Sequence, residues 1–167
     1  MQKAISCLHP NAHLSTDCRD PKDGKTHNLN LAGNEPVRVA TVSGSSSYLV
    51  YVAQAFEIIR DKDPERGPWR ATTKGYMYSV MEDTEAQREI VGFHWHPGEQ
   101  GFNEAHMHIP DHPSSQMQHA HIPSGRVSIE SFVSFLIREF KVKAHQTGYR
   151  GILEHSEGRF RRFRNWG

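Results

Sequence analysis

Apolar residues recur along this chain with two different periods, and the boundary between them divides the fold. Ile129, Phe132, Val133, Leu136 and Ile137 fall at i, i+3, i+4, i+7 and i+8, with Phe140 beyond, which predicts an amphipathic helix of about three turns opened by Ser128. Glu130 in its first turn and Lys141 past its last apolar position complement the helix dipole. Upstream the period is two. Trp69 to Val80, Arg88 to His96 and Ala105 to Ile109 alternate as strands, with shorter candidates at Val37 to Thr41 and His119 to Ile122. Tyr48, Val52, Ala55, Phe56 and Ile59 sit at helical spacing in a stretch rich in strand formers, so both forms stay open there with a lean to helix.

These elements predict an α+β fold, a small and mostly antiparallel sheet with the amphipathic helix packed on one face. Residues 1–35 are rich in Asn, Asp, Pro, Gly and Lys, with little periodicity, and are expected to form an irregular or disordered extension. Residues 36–167 are expected to form a single domain. Hydrophobic residues make up 36% of the chain, which favours long loops over a second core. The net charge of +1 gives the whole molecule no bias toward nucleic acid or membrane. No apolar run approaches the length of a bilayer span, and the start of the chain lacks a signal-peptide core, so a cytoplasmic protein is expected.

The unusual feature is twelve histidines. Strict alternation puts Val91, Phe93 and Trp95 on one face of a strand and Ile90, Gly92, His94 and His96 on the other. The next strand separates Ala105, Met107 and Ile109 from His106 and His108, and the last separates Ala120 and Ile122 from His119 and His121. When the apolar sets face the helix together, the histidines face away from it together. Side chains two apart on a strand lie roughly 6.5 Å from each other, and paired positions across strands about 4.5–5.5 Å. Imidazoles so spaced can converge on one metal ion at about 2.0–2.1 Å. Like charges about 4 Å apart repel by about 4 kcal/mol at an effective dielectric of 20, so the cluster is expected to be neutral at pH 7. His94, His96, His106 and His108, with His121 as a fifth member, are the candidate ligands. A divalent transition metal (Zn, Ni, Cu or Fe) is the candidate cofactor. Glu99 and Glu104 flank the intervening loop as possible carboxylate donors.

Cys7, His9, His13 and Cys18 are ligand types in a spacing that fits no standard finger pattern. From Arg138 onward eight Lys or Arg stand against three Glu, and Arg159, Arg161, Arg162 and Arg164 are interleaved with Phe160, Phe163 and Trp166. That pattern suits nucleic-acid binding, or an element docking its aromatics on the core with its arginines in solvent. There is no serine elbow and no phosphate-binding glycine loop.

Tyr76-Met-Tyr-Ser, Phe93-His-Trp-His-Pro97 and Ala105-His-Met-His-Ile109, followed by the helix, resemble the TumE-type proteins of bacterial toxin–antitoxin pairs over about residues 48–145. His106 and His108 match that pattern most cleanly, whereas Phe93-His94-Trp95-His96 stands where the family usually carries an Asp-Asn pair. The resemblance implies a cytoplasmic toxin-like protein with a cognate antitoxin-like partner, acting on RNA. In that reading His96 and His108 share acid and base roles and Arg126 or the terminal arginines hold the phosphate. Two other readings stand beside it, a metal-binding protein or metal-dependent enzyme, and an interaction module whose helix or basic tail binds a partner.

Overall fold

The computed structural model describes residues 1–19, 24–61, 67–98, 103–110 and 112–163, apart from the side chains of Arg159 and Phe163. The fold is α+β. Its strands are β1 (Leu14–Thr16), β2 (Thr26–Leu31), β3 (Val37–Ala40), β4 (Ser47–Arg60), β5 (Trp69–Glu82), β6 (Glu89–Trp95), β7 (His106–His108) and β8 (Ile122–Pro123). The helices are α1 (Gln2–Ile5), α2 (Ser115–Gln118), α3 (Ile129–Arg138) and α4 (Tyr149–Phe163). All strands join one antiparallel sheet in the order β1-β2-β4-β5-β6-β7-β8. β4 is long enough for one of its edges to take two partners, β3 along Ser47–Val50 and β2 along Ala53–Glu57.

One face of this sheet carries Val50 and Val52 of β4, Tyr78 and Val80 of β5, and Val91, Phe93 and Trp95 of β6, all buried. α3 lies on that face, with Phe132 against Tyr78 and Phe93 and Phe135 edge-on to Phe93. The predicted helix is thus present with its predicted start: the Ser128 hydroxyl accepts from the Ser131 amide at 3.0 Å, satisfying one of the amides a helix N-terminus leaves over. Ile129, Phe132, Val133, Leu136 and Ile137 are its buried stripe. Among the described residues no helix is long and apolar enough to cross a membrane.

Two expectations are corrected. The lean to helix at 48–59 fails, because β4 is a 14-residue strand. Its apolar residues fit both periods, and pairing along both edges decides for the extended form. The described residues within 1–35 do not form an irregular extension either. α1, β1 and β2 lie there, and Ala4, Ile5, Cys7, Leu8, Ala12 and Leu31 are buried in the same core as α3. These elements are too short to show a period, and β2 is ordered by its pairing with β4 some 25 residues later. The Cys7 thiol is buried and donates to the Lys3 carbonyl, and burial pushes its pKa up, away from the ligand state.

Because Ile5 is fully buried, Ile5→Ala is expected to cost about 2–5 kcal/mol in urea unfolding, the usual range for such a cavity. A cost under about 0.5 kcal/mol, typical of a surface position, would mean that the first residues are an appendage after all.

Candidate metal centre

The face of the sheet opposite α3 carries the histidines. In β6 and β7, Phe93 is paired with Met107, so their neighbours are paired on the other side: His94 with His106 and Gly92 with His108. β8 continues the register, Ile122 opposite Met107 and Pro123 opposite His106, which sets His121 across from His108. His96 follows the last residue of β6. Burial of Phe93 and Trp95 beneath the helix layer is what turns His94 and His96 outward.

His106 is the centre of the group. Its ring lies 5.9 Å from His94, 5.2 Å from His96, 4.8 Å from His108 and 4.7 Å from His121, centroid to centroid. His94 and His108 are 4.8 Å apart and His108 and His121 4.6 Å. Two sets of three converge, His94–His96–His106 and His106–His108–His121, and in each one nitrogen per residue lies within 4.8 Å of the others. His106 belongs to both. It is 0% exposed, and its Nδ1 donates to the Glu104 carbonyl at 2.6 Å, so Nε2 is the nitrogen left as a lone-pair donor.

Packing so many imidazoles together disfavours charge on them. Burial lowers the His108 pKa to about 4, helped by His94, His106 and His121. Burial also lowers that of His106; the bond to the Glu104 carbonyl opposes this, and His121, His94 and His96 add to it. Both are therefore neutral at pH 7, the state in which imidazole binds metal.

A carboxylate joins the group, and strict alternation does not find it. Val80 pairs with Val91 but Met81 pairs with Glu89, so Ile90 is an extra residue in β6. This β-bulge resets the alternation. Ile90 packs against the hydrophobic core, and Glu89 takes the place on the histidine face that Ile90 was expected to hold. Glu89 Oε1 then lies 3.4 Å from His94 Nε2 and accepts a hydrogen bond from Ser79. Burial pushes the Glu89 pKa up, but His94, Ser79 and His108 outweigh it and hold the carboxyl below its usual range. Gly92 makes room: a Cβ there would sit 2.4 Å from Glu89 Oε1 and 2.6 Å from His94 Nε2. The glycine was the available signal, since a glycine inside a strand marks a bulge or a close approach.

The remaining candidates lie elsewhere. Glu104 contributes its backbone carbonyl while its side chain is exposed, and Glu99 is outside the described residues. Arg126 stacks on Trp95 at 3.6 Å, on the helix side of the sheet, so the structure does not bring it to the histidines. His119 caps α2 at its C-terminus, and His112 Nδ1 accepts from the Ser114 amide. In α4, Arg161 pairs with Glu157 one turn back and Arg162 is exposed; the Arg159 side chain and Arg164 are outside the described residues. None of Cys7, His9, His13 and Cys18 belongs to a converging donor set among the described residues.

No family model, no curated protein and no solved structure matches this chain, so its function is read from the site.

The depressed histidine pKa values set the pH dependence of the metal-free protein. An unfolded histidine takes up its proton near pH 6.5, whereas folded His108 does so only near 4. Between these values the unfolded state binds more protons, so stability is highest above pH 6.5 and falls as the pH drops toward 4. Urea unfolding of metal-free protein at pH 7, 6 and 5 is expected to show this fall, with a shallower slope in His108→Gln. Equal slopes for the two proteins would contradict it.

Proposed function

We propose that this protein is a metal-dependent enzyme that holds one divalent transition-metal ion in the histidine cluster, with His106 as the indispensable ligand. The observation that carries this reading is the state of His106: fully buried, oriented by the Glu104 carbonyl, and shared by both converging sets. Three imidazole nitrogens are the donor set of zinc and of Ni, Cu and Fe(II) sites. Since Nδ1 of His106 is committed to Glu104, only Nε2 remains, and only one set can be complete at a time. One ion per chain follows. Structural zinc sites are closed, whereas here His94, His96 and His108 are half-buried and His121 is exposed, leaving a solvent side open to substrate.

A bound ion of this class would supply a water acidic enough to be a nucleophile near neutral pH. The reaction class proposed is accordingly metal-assisted hydrolysis. The toxin-like resemblance makes RNA the first substrate to try and an antitoxin-like protein the first partner to seek. Metal-free RNA cleavage by His96 and His108 is the second reading. It requires a cation to hold the phosphate, and the proposed Arg126 is engaged with Trp95 on the other side of the sheet.

Elemental mass spectrometry on untagged protein, purified without chelator or nickel resin, is expected to find close to one ion per chain. His106→Ala should reduce this to near zero. Wild-type protein that neither contains metal nor takes up added zinc would overturn the reading, and RNA cleavage in the presence of chelator would establish the second one.

A further inference from the structure

Glu89 bears on which of the two histidine sets holds the ion. In one set His94 and His106 are paired across adjacent strands and His96 directly follows β6, while the other set depends on exposed His121. In the first set His94 has a direction imposed on it. Its Nε2 is cut off from solvent, forms no hydrogen bond of good geometry, and faces the Glu89 carboxylate at 3.4 Å. That nitrogen lies over Gly92, the position behind His94 on this face of β6, whereas His96 lies ahead of it. Glu89 is in turn held by the hydroxyl of Ser79, which is buried and stands beside Gly92 in the register.

We infer that Glu89 is a positioning residue that keeps His94 in its Nε2–H tautomer and so presents His94 Nδ1 to an ion in the His94–His96–His106 set. The inference rests on the metal reading above and names its ligand set. The chemistry is that of neutral imidazole, which has one N–H and one lone pair. A proton on Nε2 gives the carboxylate a donor, and the lone pair is then on Nδ1, the ring nitrogen not committed to Glu89. A carboxylate behind a ligating histidine fixes its tautomer and raises its basicity, and loss of such a partner typically weakens metal binding about 10–100-fold. His106 is held in the complementary way, Nδ1 on the Glu104 carbonyl and Nε2 toward the ion. Two ligands of the set are therefore oriented before metal arrives, one by a side chain and one by the backbone. His108 and His121 remain outside the coordination shell and border the open side.

The test compares wild-type protein with Glu89→Gln, which keeps size and removes charge. Zinc affinity is measured by competition with a chromophoric chelator, and the ring nitrogens of His94 are read by nitrogen-15 NMR in zinc-loaded, histidine-labelled protein. The expected result is about a 10–100-fold weaker zinc affinity in Glu89→Gln. In the wild type His94 should show a metal-bound Nδ1 and a protonated Nε2. Equal zinc affinity in the two proteins, or zinc on His94 Nε2 with Glu89 as a direct ligand, would overturn this inference and leave the metal reading standing. Failure of the wild-type protein to bind zinc at all would overturn both.

Discussion

The histidine cluster depends on a constraint imposed from the other side of the sheet. Phe93 and Trp95 in β6 and Met107 in β7 alternate with His94, His96, His106 and His108, and side chains on a strand have only two directions to take. Phe93 and Trp95 are buried and Met107 packs against the core, beneath a layer in which α3 presents five buried apolar residues. Slipping either strand by one residue would drive imidazoles into that core and strand aromatic rings in water. The apolar packing thus enforces the register, and the register pairs His94 with His106.

What the register brings together is costly to keep together. A fully buried imidazole such as His106 loses its water, and its N–H is compensated by the Glu104 carbonyl. Burial, with the neighbouring rings adding to it, lowers the His108 pKa to about 4. Neither His106 nor His108 must shed a proton at pH 7 before it can accept a cation. The order in the group is graded outward, from buried His106 through half-buried His94, His96 and His108 to exposed His121. Such a gradient leaves one side of the group packed within the protein and the other toward solvent.

Local irregularity supplies the rest. The extra residue Ile90 sends one apolar side chain to the core and a carboxylate to the opposite face, and Gly92 leaves the space over which that carboxylate meets His94. Bulges often re-aim side chains near functional sites, and here the re-aimed residue is the one acidic group in contact with His94 among the described residues.

The sequence by itself determined the elements with a long enough period and a hard enough burial demand. The Ser128-capped helix, the strands β5, β6 and β7, and the segregation of histidines from aromatics follow from spacings of two and of three to four, which are local properties of the backbone. Tertiary structure decided everything that depends on a partner distant in the chain. Residues 48–59 satisfied both periods until pairing with β2, β3 and β5 selected the strand. The first 35 residues had no period to read, and contact with β4, α3 and α4 is what places β2 and α1. The place of Glu89 rests on a bulge, a mismatch between two strands, and neither strand contains that mismatch alone. The same holds for the stacking of Arg126 on Trp95, which sets that cation on the helix side of the sheet: periodicity assigns a face to a strand residue, but for a residue in a loop only the packed fold does so.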